Sequence, residues 1–186
     1  MGRFEKNRDY MQRSMGGLRN RLRADPHTSP LIWPIPGELA CSQRPLRDHP
    51  EFASSNPLPV HSFPLIANWI ERICSLGIRS VICLLTPKQL YRYNGFHQDG
   101  LLGAYRQAGL CVLQIPVFDE VHPEDTSGCE VLGESVFAKA YQGFLELPKP
   151  VLLHCSAGID RSSPVAAQIV LRAGKELFFD PRSRRA

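Results

Sequence analysis

The sequence predicts an α/β fold, a central and mostly parallel sheet flanked by helices. Two observations carry that prediction. Three short apolar runs, residues 79–85 (RSVICLL), 110–117 (LCVLQIPV) and 150–154 (PVLLH), have the length and branched-aliphatic content of buried strands. Between them lie segments whose apolar residues recur at helical spacing, and alternation of this kind marks a parallel sheet covered on both faces. At 186 residues the chain is long enough for one domain with an ordinary core.

In chain order, the first segment is basic. Residues 1–25 hold Arg3, Lys6, Arg8, Arg13, Arg19, Arg21 and Arg23 against Glu5, Asp9 and Asp25, an excess equal to the net charge of +4. The remainder is neutral in sum, so the fold itself is not read as a nucleic-acid binder. Gly16-Gly17 and the polar run to Pro30 suggest a flexible, solvated arm over residues 1–30, ahead of a folded domain over 31–186. Residues 31–36 (LIWPIP) suit a short extended element kept at an edge by Pro34 and Pro36. Residues 37–61, with Pro45, Pro50, Pro57 and Pro59, read as loop.

Ser62 can cap a helix with Pro64 in its first turn; Leu65, Ile66, Trp69, Ile70, Ile73 and Leu76 follow at helical spacing, and Gly77 ends it. After the run at 79–85, residues 86–108 suggest one or two short helices broken near Asn94-Gly95. After the run at 110–117 a polar loop extends from Phe118 to Gly128. A helix is expected over 130–146, with Val131, Phe137, Tyr141 and Phe144 near one face, and a last helix from Arg161 to Arg172. Trp33 and Trp69 are read as packing residues.

Several classes are excluded. No apolar run approaches the ~20 residues that span a bilayer. The N-terminus lacks the apolar stretch of a secretory signal and, with Lys6 at the sixth position, the pattern for myristoylation. Cys41, Cys74, Cys83, Cys111, Cys129 and Cys155 are scattered without a CxxC pair, which points to reduced thiols, a cytoplasmic location and no zinc site. His97 and His122 are isolated and are not read as metal ligands; no cofactor is expected.

The chemistry sits after the third run, in VLLHCSAGIDRSS (151–163). Ligands of parallel sheets bind beyond the carboxyl ends of the strands, where Cys155 lies. Successive N–H groups of Ser156, Ala157, Gly158, Ile159 and Asp160 can converge on an anion, and the following helix N-terminus adds positive field. That field stabilises sulfur as the thiolate. Arg161, six residues after the cysteine, offers a planar fork to two phosphate oxygens, and Ser162 can donate to sulfur as it leaves. Nucleophile, amide nest and fork together suit metal-free cleavage of a phosphate ester.

HCSAGIDRS resembles the HCxxGxxR[ST] signature (a Cys-x5-Arg phosphate loop) of the cysteine-dependent protein tyrosine phosphatase superfamily. The order WPIPGELACSQRPL, helix, GIRSVICLL, GLCVLQIPVFDE, helix, VLLHC resembles small atypical dual-specificity phosphatases over residues 31–172. The resemblance implies that fold, with a short C-terminal helical region, and hydrolysis of phosphotyrosine, and of phosphoserine or phosphothreonine, on proteins or peptides through a phosphocysteine. It implies Cys155 as nucleophile, Arg161 and the loop amides as phosphate holders, and His154 as a support for loop geometry. It also implies an acid on the upstream loop. Asp119, just past the second run and 36 residues before Cys155, fits best; Glu120, Glu124 and Asp125 compete. Asp160 is either the acid itself or a carboxylate turned outward, since it would repel bound phosphate. Cys83 could protect Cys155 through a disulfide, with Cys111 as a weaker choice, or could be a small core hydrophobe.

Two features depart from that pattern. Ser163 stands where glycine is frequent, and only 14 residues follow Arg172, where relatives usually add helices. The exposed sheet face would then need the N-terminal segment or a partner as cover, or the helix set is reduced. Two rival readings stay open: a phosphoinositide or RNA 5′-phosphatase, which the lack of lysine in the loop disfavours, and a non-catalytic phosphate-binding module. Physiological substrate and oligomeric state are not legible.

Overall fold

A computed structural model describes residues 1–120 and 127–178. Its centre is a five-stranded sheet of order β1-β2-β5-β3-β4, built from β1 (Ile32–Ile35), β2 (Leu39–Ser42), β3 (Ser80–Cys83), β4 (Cys111–Gln114) and β5 (Val151–His154). All pairs are parallel except β1 with β2, so the sheet is mostly parallel, as the alternating pattern predicts.

The strands alternate their side chains between two cores, as the pleat requires. Leu39 and Cys41, Ile82, and Val151 and Leu153 face one core; Ala40, Val81 and Cys83, and Leu152 face the other. The first core is closed by α1 (Arg3–Ala24), α5 (Glu134–Glu146) and α6 (Ser162–Arg172), the second by α2 (Phe63–Ser75) and α4 (Gly100–Gln107). Close approach on the first face depends on Gly143 of α5, where a Cβ would lie 2.3 Å from Leu113 Cδ2. The short α3 (Pro87–Tyr91) starts in a capping box, in which Thr86 accepts from the Gln89 N–H and the Gln89 side chain accepts from the Thr86 N–H.

The N-terminal segment departs from the flexible arm expected over residues 1–30. Arg3–Ala24 is a helix, and Met11, Met15 and Leu18 are buried, with Tyr10 and Leu22 partly buried beside them. Met11, Met15, Leu18 and Leu22 form one stripe at helical spacing, and that stripe packs on α6 and β1. Arg19 and Arg23 both bond Asp48, at 2.7–2.8 Å. The N-terminal segment is thus a cover for the face beside α6.

Three local expectations also change. β2 lies inside the stretch read as loop, a four-residue strand between two proline-rich segments. Ser62 does not cap α2; its hydroxyl donates to the Pro59 carbonyl instead. Val131 lies outside α5 and is exposed, while Phe144 is buried and Phe137 and Tyr141 are partly buried. Trp33 and Trp69 pack on the second core.

Candidate active site

Parallel register brings three strand ends to one edge. Ser42 of β2 and Cys83 of β3 both stand opposite His154 of β5. The connections that leave these strands, and the one that leaves β4, therefore gather around the residue after His154, which is Cys155. The candidate site is built from those four connections.

Cys155 is buried, 2% exposed, and its Sγ accepts the Gly158 N–H at 3.2 Å. The turn that allows this needs glycine: Gly158 has φ +79°, and a Cβ there would meet Met15 Cε at 2.2 Å and the Ser42 carbonyl oxygen at 2.9 Å. Ser163 ties the loop to the helix behind it, donating its hydroxyl to the Gly158 carbonyl at 3.0 Å. This is what serine does at the position where glycine is frequent. Ser162 is fully buried, and its hydroxyl has no hydrogen-bond partner among the described residues.

Arg161 is 4% exposed and points across the ends of β3 and β4. Nη1 donates to the Leu84 carbonyl (3.1 Å), the Val117 carbonyl (3.1 Å) and Gln89 Oε1 (2.9 Å). Nη2 donates to Asp119 Oδ2 at 2.7 Å. Asp119 is 6% exposed, and the same Oδ2 accepts from Gln89 Nε2 at 2.6 Å. Gln89 therefore joins acid and guanidinium in one network. Nη1 is saturated by three carbonyl oxygens, and Nη2 is held by the carboxylate.

His154 has no exposure. Nδ1 lies 3.2 Å from the Cys155 carbonyl, so Nδ1 carries the proton, and Nε2 accepts from the Tyr105 hydroxyl at 3.2 Å. Burial, with Arg161 and Arg44 adding to it, lowers its pKa to about 4, against the weaker support of the Cys155 carbonyl. The ring is neutral at pH 7 and holds the backbone of Cys155.

Asp160 is exposed, and Glu120 is exposed as well. Together with α1 residues Phe4, Arg8 and Gln12 they line a surface cleft. Arg19 is held above the ordinary arginine range, first by its bond to Asp48, then against burial by the charges of Asp48, Asp160 and Cys155. Helix α1 thus places a cation near the loop. Glu124, Asp125 and His122 lie outside the described residues. Cys83 is a free, fully buried thiol whose pKa burial pushes up to about 12; Cys111 is free and exposed on β4. Among the described residues there is no cluster of three potential metal ligands and no helix long and apolar enough to cross a membrane.

Two participants escape a linear reading. Gln89 carried only a helix-start signal, the Thr-Pro-x-Gln run. Arg44, just past β2, donates its backbone N–H to the Ser156 carbonyl (3.0 Å) and Nε–H to the Ser156 hydroxyl (3.2 Å). Its only signal was its position after a strand that was itself read as loop.

The comparisons with known proteins, together with the fold, place the chain in the cysteine-dependent protein tyrosine phosphatase superfamily, with the small dual-specificity-type proteins. Within it, the family model described as cyclin-dependent kinase inhibitor 3 (CDKN3) matches residues 64–178, and the chain belongs to that family. Cyclin-dependent kinase inhibitor 3 of Homo sapiens is 30% identical over 102 residues, 54% of this chain and 43% of that protein. The Sus scrofa protein is 31% identical over 101 residues, with the same coverage. The matched segment is therefore less than half the length of either relative. A DUF442 structure from Shewanella putrefaciens CN-32 aligns with TM-score 0.50 and 22% identity, covering 82% of this chain and 74% of that one, a likeness of fold. Kinase associated phosphatase (KAP), with its catalytic-site cysteine changed to serine, aligns with TM-score 0.48 and 21% identity over 72% of this chain and 65% of that one. Helix α1, β1, β2 and Arg44 lie outside the family match.

Proposed function

We propose that the protein hydrolyses phosphate monoesters on proteins, phosphotyrosine foremost and phosphoserine or phosphothreonine as well, through a phosphocysteine. The carrying observation is the Arg161 guanidinium, with Nη1 locked on Leu84 and Val117 carbonyls and Nη2 on Asp119 at 2.7 Å, in the same loop as a sulfur that already accepts an amide N–H. The reading rests also on membership in the family.

The steps follow from that geometry. The ester's phosphoryl group enters the loop, its oxygens take the amide N–H groups and the Nε–Nη2 edge, and Asp119 is released from Arg161. The dianion that displaces Asp119 favours the protonated carboxyl by charge repulsion. The Cys155 thiolate attacks phosphorus in line; the S–P bond forms, the P–O bond breaks, and Asp119 gives its proton to the leaving oxygen. Asp119 then takes a proton from water, water oxygen bonds phosphorus, and the S–P bond breaks. Ser162, buried with its hydroxyl unpartnered among the described residues at a cost of about 1–3 kcal/mol, donates to the departing sulfur. His154 keeps the loop in place and moves no proton. A cytoplasmic setting agrees with six unbridged cysteines.

The test is turnover of p-nitrophenyl phosphate under reducing conditions. Cys155→Ser should bring the rate to background while phosphate binding persists. A variant that remains active overturns the mechanism. Asp119→Asn should slow poor leaving groups about 10²–10⁴-fold; an equal loss from Asp160→Asn would move the acid to position 160.

A further inference from the structure

Beside the loop lies a cavity of about 410 Å³ whose lining includes Ser156, Asp119, Arg44, Arg47 and Arg92. Its three arginines lack the partners that arginines in such places ordinarily have. Among the described residues none of the three forms an ion pair with a carboxylate. Asp48, next to Arg47 in the chain, has both carboxylate oxygens bonded by Arg19 and Arg23. Asp119, which also lines the cavity, is engaged by Arg161 and Gln89.

What the arginines do bond is neutral. Arg44, 4% exposed, reaches the Ser156 hydroxyl, the Pro45 carbonyl and the Tyr93 hydroxyl, at 3.2–3.4 Å. Arg92 donates Nη2 to the carbonyls of Phe52 and Ala53, and its Nε is buried with no hydrogen-bond partner among the described residues. Burial first, and then the neighbouring Arg44 and Arg47 charges, lower Arg92 to about 10; burial, Arg44 and Arg19 also lower Arg47, against the weaker pull of Asp48. Three like charges, partly desolvated and facing one concave space, oppose folding unless an anion joins them. Guanidinium forks match phosphate oxygens, and a dianion neutralises more of the cluster than a carboxylate would.

We infer that this cleft binds a second phosphate group of the substrate, carried on the same molecule as the phosphate that enters the Cys155 loop. The adjacency is direct, because Arg44 bonds the hydroxyl of Ser156, the first loop residue after the cysteine. The inference rests on the proposed phosphatase reading for the role of the loop, and it narrows the substrate to multiply phosphorylated molecules. Two of the three arginines, Arg44 and Arg47, lie outside the segment matched by the family model. The cleft is thus built largely from this chain's own N-terminal half.

Equilibrium binding to the Cys155→Ser protein tests it, by calorimetry at low ionic strength. One ligand pair is a phosphotyrosine peptide and the same peptide with an added phosphothreonine; the other is inositol monophosphate and inositol trisphosphate. The extra phosphate should tighten binding about tenfold or more, the scale of one charge-assisted hydrogen bond, in at least one pair, and which pair it is names the source. Arg47→Gln, at a half-buried side chain, should remove most of that advantage. Equal affinity within both pairs overturns the cleft assignment, as does an advantage that persists in the Arg47→Gln protein and in Arg92→Gln. The comparison of ligands on one protein does not depend on any cleft variant folding. Turnover of p-nitrophenyl phosphate by the wild type is scored separately. Its absence would sink hydrolysis and leave the binding result standing, whereas turnover with equal binding would sink the second subsite alone.

Discussion

The loop after β5 and the loop after β2 leave neighbouring parallel strands at the same edge of the sheet, yet they are built on opposite plans. Residues 155–161 form a contiguous unit in which the sulfur, the Gly158 N–H that it accepts and the Arg161 guanidinium arise from seven consecutive positions. Residues 43–48 contribute single side chains and depend on the rest of the fold for their meaning. Arg44 reaches Ser156 across 112 residues, and Asp48 is held by α1. A local turn can be specified by a short motif, because backbone geometry supplies the site. A cleft of separate cations cannot, because its electrostatics exist only after the chain has packed.

The sharpest test of this contrast keeps charge and changes shape. Arg161→Lys leaves one positive charge but loses the planar fork that reaches two carbonyls, Gln89 and Asp119 at once. Loss of kcat/KM on aryl phosphates should be about 10²–10³-fold, the scale of removing one fixed donor from a developing oxyanion. In the other loop, Arg47→Lys keeps the charge and removes only one of three forks, so it should retain most of any preference for doubly phosphorylated ligands. If lysine is tolerated at 161 to within a few-fold, the loop is a diffuse positive patch, and the two regions do not differ in kind.

The next largest effect concerns what holds the β5 loop from behind. Met15 of α1 has no exposure, and its Cε lies where a Cβ on Gly158 would stand. Met15→Ala should cost about 2–5 kcal/mol in urea unfolding, the range for a deleted buried methionine. It should also lower kcat, because the loop loses its backing. A change of a few tenths of a kcal/mol would mean that α1 is peripheral and that the β5 loop is as self-contained in energy as it is in sequence.

How much was legible follows the same division. The parallel sheet and its flanking helices could be read because strands 80–83, 111–114 and 151–154 are continuous apolar runs and each helix carries its own periodicity. Cys155 and Arg161 could be placed because strand, turn and helix start are adjacent in the chain. Asp119 could be placed by its distance past β4; its engagement with Arg161, across 42 residues, could not. Gln89 is a further step removed, since its helix-capping role accounts for its identity without any reference to Arg161. Helix α1 was hidden for a different reason. The stripe Met11, Met15, Leu18, Leu22 is in the sequence, but the surrounding charge and the Gly16-Gly17 pair favour a solvated chain until α6 offers an apolar face. Burial against a partner helix outweighed local propensity.

The smallest effect tests the link between β5 and its loop at His154. The folded state keeps the ring neutral with a pKa of about 4, against an ordinary value of 6.5 when unfolded. Between those two values the unfolded chain binds a proton that the folded one refuses, so stability is present above pH 6.5 and is lost as pH falls toward 4. By that linkage the contribution lost between pH 7 and pH 5 is about 2 kcal/mol. His154→Asn should therefore be less stable at pH 7, through loss of the Tyr105 and Cys155 carbonyl contacts, yet show a shallower decline on acidification than the wild type. Parallel urea midpoints for the two proteins at pH 7, 6 and 5 decide it. If the two decline equally, His154 accepts its proton freely in the folded state, and the loop is not anchored through a neutral imidazole. The support that distinguishes the β5 loop from the β2 loop would then lie elsewhere, in the Ser163 hydroxyl on the Gly158 carbonyl and in Met15 behind the turn.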